Sequence, residues 1–162
     1  MPGLLAWCKW LEQTSVGASV RQSLWLFPAI ETMHLLGMAA LLAAIGAFDL
    51  RLIGVVLRDQ SLSRLSARLL PWAWVAFAMQ VISGGLLFSS EAARMVVNPA
   101  FRLKVVLILL AGAHACVFQL LARRGLPAWS SATPPLAARV AGCTSLLLWI
   151  GVVAAGRWIG FI

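Results

Sequence analysis

The chain has 162 residues, of which 62% are hydrophobic and 11% are charged. Ordinary globular chains carry about 25% charged residues, so this composition excludes a water-soluble domain. The formal net charge of +8 would suit nucleic acid, but the basic residues lie between and beside apolar runs and do not form one stripe. The sequence therefore predicts contact with a lipid bilayer and no binding of nucleic acid.

The apolar runs predict an all-α integral membrane protein, with four transmembrane helices in a single membrane domain over residues 1-162. A bilayer core takes roughly 20 apolar residues as a helix. In chain order, the pattern predicts a short amphipathic interfacial helix at about 3-14 and spans at about 25-48, 69-88, 103-121 and 140-159. The residues around 14-23 and 89-102 are predicted to be polar connections.

Both histidines of the chain lie inside predicted spans, His34 in the first and His114 in the third. An ionisable side chain costs free energy in hydrocarbon, so it indicates a functional site. Counted from Trp25 and Lys104, the two histidines lie about 13 Å and about 15 Å along their helices. The sequence therefore predicts two imidazoles at one depth, where they would be the axial ligands of one haem b.

Charged residues are predicted near the same depth. Arg102, Lys104 and Arg157 could face the propionates of this haem, and they complete its predicted binding site. Glu31 lies one helical turn before His34. We expect Glu31 to pair with one of these three cations, because a lone carboxylate at that depth is costly.

Asp49 and Arg51 end the first span and, with Glu31 and Arg157, form the predicted structural polar cluster. Two positions apart on a helix, Asp49 and Arg51 point to nearly opposite faces and do not pair locally. Arg51 fits a stop signal at the interface. A carboxylate beside an apolar run needs a polar partner, so Asp49 is expected to contact another helix or lipid headgroups.

Two alternatives to haem remain open at this point. Met38 lies one turn beyond His34, and thioether and imidazole groups suit Cu(I), so His34, Met38 and His114 could bind copper. The chain could also bind no cofactor and pack as a structural subunit against a larger partner. Covalent haem attachment is excluded because the chain has no CxxCH.

Several segments carry a resemblance to a known family: WLFPAIETMHLLGMAALLAAIGAFDLRLIG, LLPWAW, NPAFRLK and GRWIGF. They resemble a family of small bacterial four-span membrane proteins of unknown function, and the resemblance covers nearly the whole chain. It implies the fold and the membrane location. The candidate residues that lie in these segments are Glu31, His34, Asp49, Arg51, Arg102, Lys104 and Arg157. The layout is also similar to copper-resistance membrane proteins and to b-type cytochromes with four transmembrane helices. Those di-haem cytochromes use four helical histidines, so two histidines allow one bis-histidine haem.

The expected location is a bacterial inner membrane. Arg and Lys are slightly denser in the loops after the first and third spans, which predicts that both termini lie outside the cytoplasm. GxSxG, Walker and HExxH motifs are absent, so the sequence assigns no enzymatic reaction. The expected partner is a redox protein in the membrane or the periplasm that exchanges electrons with the haem. The sequence does not determine the oligomeric state.

Overall fold

The computed structural model describes residues 2–122 and 134–162, and these ranges form seven α-helices without a strand. The helices are α1 (Pro2–Gln13), α2 (Ser15–Gln22), α3 (Leu26–Ile53), α4 (Leu62–Ser90), α5 (Ala92–Val97), α6 (Pro99–Ala122) and α7 (Leu136–Trp158). The prediction of an all-α protein with a short N-terminal helix is confirmed.

Four of these helices, α3, α4, α6 and α7, are long and apolar enough to cross a membrane. Their outer faces expose large apolar side chains that water would disfavour, among them Leu109, Leu120, Leu147 and Ile150. Trp72 and Trp74 are exposed in the first half of α4. The chain is a multi-pass membrane protein whose apolar helices contact lipid.

Helices α3 and α4 are longer than the first two spans that the hydropathy pattern predicts. Capping residues explain where α3 ends and where α4 begins. Helix α3 ends at Gly54, whose φ of +88° places it in the left-handed region that glycine adopts without steric cost. Helix α4 begins after Ser61, whose hydroxyl accepts a hydrogen bond from the Arg64 amide at 3.4 Å. Only the short turn 54–61 joins the two helices.

The predicted connections around 14-23 and 89-102 instead contain helices α2 and α5. Thr14 caps α2 by accepting a hydrogen bond from the Gly17 amide at 3.3 Å. Glu12 of α1 accepts a hydrogen bond from the Ala93 amide at 2.8 Å, in the first turn of α5. The Cys8 side chain of α1 is fully buried. Helices α1, α2 and α5 therefore pack together over one end of the spans, called here the α1 end.

The four spans pack in the order α4, α3, α7, α6. Helix α3 lies between α4 and α7, and α7 packs against α6. Within the described ranges, no Cα atom of α6 lies within 8 Å of α3 or α4. Aromatic side chains cross these wider gaps: the Phe48 and Phe118 rings are 6.2 Å apart, and Phe88 stacks on Phe101 at 5.4 Å.

Gly17 of α2 lies close against the backbones of α4 and α1, so we expect Gly17→Ala to destabilise the protein. A β-carbon at Gly17 would lie 2.6 Å from the Ser89 carbonyl oxygen and 2.7 Å from that of Leu11, and both are backbone atoms. Overpacking of this kind costs about 1–3 kcal/mol of unfolding free energy. The measurement is reversible unfolding in mixed micelles, followed by circular dichroism.

Gly3→Ala is the matched control, because a β-carbon at Gly3 meets nothing within 4 Å. Alanine has the higher helix propensity, so this variant should keep or raise the unfolding free energy by about 0.5–1 kcal/mol. Equal destabilisation by Gly17→Ala and Gly3→Ala would contradict the close packing of α2 on α4.

Candidate functional site

His34 lies at the interface of α3 and α4, about two turns from the start of α3. Its Nδ1 is 2.9 Å from the Ser83 hydroxyl, and its backbone carbonyl accepts a hydrogen bond from the Gln80 side-chain amide. Gly84 makes room for the ring, since a β-carbon there would lie 3.2 Å from His34 Cε1. The imidazole is therefore held in one orientation against α4.

The hydrogen bonds around Ser83 determine the tautomer of His34. The Ser83 hydroxyl donates its proton to the Met79 carbonyl at 2.5 Å, so its oxygen can only accept from the ring. Nδ1 of the neutral imidazole therefore carries the hydrogen, and Nε2 carries the free lone pair. Nε2 forms no hydrogen bond to any other residue that the structure describes.

Lys104 brings a positive charge close to His34. It is half-buried on α6, and it lies near enough to His34 to interact with it electrostatically. A β-carbon at Gly156 of α7 would lie 3.6 Å from Lys104 Nζ, so the lysine side chain runs along that glycine. We call His34, Ser83, Gln80 and Lys104 the His34 layer.

The relative depth of the two histidines differs from the sequence prediction. Helices α3 and α6 run in the same direction, and the Phe48 ring on α3 contacts the Phe118 ring on α6, 70 residues later. His34 and Lys104, which interact electrostatically, are also 70 residues apart. At that register His114 is level with Ala44, ten residues or about 15 Å deeper than His34. His114 is half-buried and forms no hydrogen bond to another described residue.

The other charged residues predicted at this depth do not form the expected ion pair. Glu31 is exposed, and no Lys or Arg lies within 4.0 Å of its carboxylate among the described residues. Arg102 is also exposed. Arg157 lies over the Phe161 ring at 4.9 Å in a cation–π contact, next to the Gly156 that contacts Lys104. Arg102, Lys104 and Arg157 thus lie toward the α1 end, but none of them forms an ion pair with Glu31.

Asp49 and Arg51 are both buried, and they have different partners. Arg51 donates from Nε to the Gln60 carbonyl at 2.8 Å and from Nη2 to the Arg58 carbonyl at 3.1 Å. Asp49 interacts with the side chain of Ser145 on α7. Asp49 thus contacts α7, and Arg51 ties the turn 54–61 to α3.

The structure offers little for a multi-ligand metal centre. Within residues 2–122 and 134–162, no group of three or more His, Cys, Asp or Glu side chains is arranged to hold a metal ion. Met38 is half-buried one turn beyond His34, and Met79 packs against Gly37 on the same interface. Thioethers are therefore present on both helices of the interface that holds His34.

His34 and Lys104 were candidates from the sequence, but Gln80 and Ser83, which hold His34 in place, were not. Gln80 and Ser83 are the polar residues inside the second span, and that polarity was the available signal. Polar groups in a span need a partner, yet a single sequence does not say which helix supplies it. Ser145 gave no signal, because serine is common on transmembrane helices.

Comparison with known proteins identifies the family alone. No curated protein and no solved structure matches the chain. The model of a family of unknown function, DUF6644, matches residues 9–162. This range includes all four spans and the His34 layer. The chain therefore belongs to the DUF6644 family of unknown function.

Proposed function

We propose that this protein binds one b-type haem through His34 and acts as a small membrane redox or electron-transfer subunit. The observation that carries the proposal is the 2.9 Å contact between His34 Nδ1 and the Ser83 hydroxyl, which holds the ring against α4. Its Nδ1 hydrogen is donated to Ser83, so Nε2 presents an unshared lone pair. Histidines that ligate metals usually donate their other N–H to an oriented acceptor in this way.

The surroundings of His34 suit an anionic, flat cofactor. Lys104 interacts electrostatically with His34 and would face a propionate. Arg157 follows the glycine that contacts Lys104, and Arg102 lies two residues before Lys104, so both could supply further positive charge. Helix α6 stands more than 8 Å from α3 and α4, counted between Cα atoms of the described residues. A ring bound at His34 would share this space with the stacked Phe88 and Phe101 side chains.

The register of α6 favours His34 over a pair of axial histidines. An imidazole nitrogen binds a transition metal at about 2 Å, so two ligands of one ion must lie at nearly the same depth. His114 lies about 15 Å deeper in the register that the Phe48 and Lys104 contacts define. In this proposal His34 is the ligand from the protein, and a redox partner would approach the α1 end.

The test is an absorption spectrum of protein purified in mild detergent from haem-replete cells, with and without dithionite. We expect a Soret band and a reduced α band that His34→Ala abolishes and His114→Ala retains. Ser83→Ala should weaken haem affinity by about 10–100-fold, because it removes the group that orients the ligand. Ser89→Ala is the matched control, since Ser89 is a buried serine of α4 that donates only to Leu86.

Three outcomes would change the proposal. A colourless and metal-free preparation that is well folded would overturn haem and support a cofactor-free structural subunit. A colourless preparation that contains copper, lost in His34→Ala and in Met38→Leu, would support the copper alternative. Loss of the bands in both histidine variants would restore the bis-histidine arrangement and contradict the register of α6.

A further inference from the structure

A second polar site lies about 22 Å from His34 along α3, near the end formed by the turn 54–61. Asp49 is only 5% exposed in the structure, and its neighbours on α7 are Ser145 and the backbone around Gly142. Its Oδ2 atom is buried and has no hydrogen-bond partner among the described residues. This site shares no residue with the His34 layer, and the inference drawn from it does not rest on haem binding.

The charged and titratable groups around Asp49 do not neutralise it. Arg51 on the same helix directs its donors to the Gln60 and Arg58 carbonyls. Arg139 of α7 donates to the Ile53 carbonyl at 3.1 Å. Among the described residues, the other charged or titratable groups near this depth are Arg68 of α4, His114 of α6 and Cys143 of α7. No cation in the described ranges lies within 4.0 Å of the Asp49 carboxylate.

A buried carboxylate without a counter-ion is strongly disfavoured, because desolvation penalises its charge. The cost disappears when the group binds a proton, since a neutral carboxylic acid needs only hydrogen-bond partners. The turn 54–61 begins five residues beyond Asp49, about 8 Å along the axis, so the aqueous side at this turn is the nearer source of protons. An unpartnered oxygen can also accept that proton without displacing another contact.

We propose that Asp49 is a reversible proton-binding site at the α3–α7 interface, occupied by a proton in the resting protein. One proton adds to the carboxylate from the aqueous side at the turn 54–61, and the same proton leaves when the group ionises. The step requires no oxidant, reductant or metal. Ser145 and the buried Oδ2 of Asp49 form the site.

The test is infrared difference spectroscopy of the intact protein in mild detergent across a pH series. Wild type should show the C=O stretch of a protonated carboxyl group at about pH 7, where an ordinary aspartate is ionised. Asp49→Asn should lose this band, and the band should disappear reversibly at higher pH. Glu91→Gln is the matched control and should keep it, because Glu91 is paired with Arg94 at 3.0 Å.

Labelling of the wild-type protein gives a second measurement that does not depend on the folding of a variant. Dicyclohexylcarbodiimide modifies protonated carboxyls in apolar surroundings, and peptide mapping should locate the adduct at Asp49. Identical infrared spectra of wild type and Asp49→Asn, with no adduct at Asp49, would overturn the proposal. Loss of the band on adding Na⁺ or K⁺ at constant pH would also overturn it, since the site would then hold a metal cation.

Discussion

Asn98→Ala is expected to lower the unfolding free energy by about 3 kcal/mol, because one side chain joins two helix ends. The Asn98 Oδ1 accepts hydrogen bonds from the Ala100 amide at 2.9 Å and the Phe101 amide at 3.1 Å, which caps α6. Its Nδ2 donates to the Ile162 carbonyl at 2.8 Å and the Ile159 carbonyl at 3.2 Å, beyond the end of α7. Each of the four bonds contributes about 0.5–1 kcal/mol, and Asn98 is only 5% exposed.

Asn98→Ser separates the two contributions. Serine caps a helix about as well as asparagine but has no amide to donate to the residues after α7. Its cost should therefore be about half that of alanine, measured by unfolding in mixed micelles. Equal costs for the serine and alanine variants would show that the cap contributes nothing. A cost below about 0.5 kcal/mol for alanine would contradict the role of Asn98 altogether.

Arg51→Met is expected to cost a similar amount, about 3 kcal/mol, at the opposite end of the spans. The Arg51 side chain is 4% exposed, and its two hydrogen bonds hold the turn between α3 and α4. Hydrogen bonds from a charged donor contribute about 1.5–3 kcal/mol each, less the cost of burying the charge. Methionine fills the volume but leaves the Gln60 and Arg58 carbonyls without this donor.

Two further variants test this interpretation of Arg51. Arg51→Lys tests whether the guanidinium geometry matters, and Asp49→Asn tests whether Asp49 and Arg51 are coupled. Lysine keeps the charge but not the planar fork, so it should recover only part of the loss. Asp49 and Arg51 do not pair in the structure, so the double variant Asp49→Asn/Arg51→Met should be additive within about 0.5 kcal/mol. A larger coupling energy would mean that the two side chains form an ion pair.

The spans were predictable because their signal is local. Each stretch of apolar residues must bond its own backbone within lipid, and a helix is the solution for a single segment. The four predicted spans correspond to α3, α4, α6 and α7. The added length of α3 and α4 depends on Gly54 and Ser61, and hydropathy does not register such capping residues.

Helices α2 and α5 at the α1 end were harder to predict than α1, because tertiary contacts stabilise them. Helix α5 has only six residues, too few to be stable in isolation. It forms where the Glu12 carboxylate meets its first turn. Helix α2 depends on the Thr14 cap and on the fit of Gly17 against α4. The hydrophobic periodicity of the sequence does not indicate that Glu12 and Gly17 make these contacts.

The sequence by itself determined the membrane location, the four spans and the two histidines placed within them, since each depends on one stretch of chain. The tertiary structure decided which polar groups meet. Depth along one helix follows from counting residues, but the register between two helices depends on how their side chains interlock. Phe48 against Phe118 sets the register of α6 on α3, in which His34 lies beside Ser83 and near Lys104, away from the depth of His114.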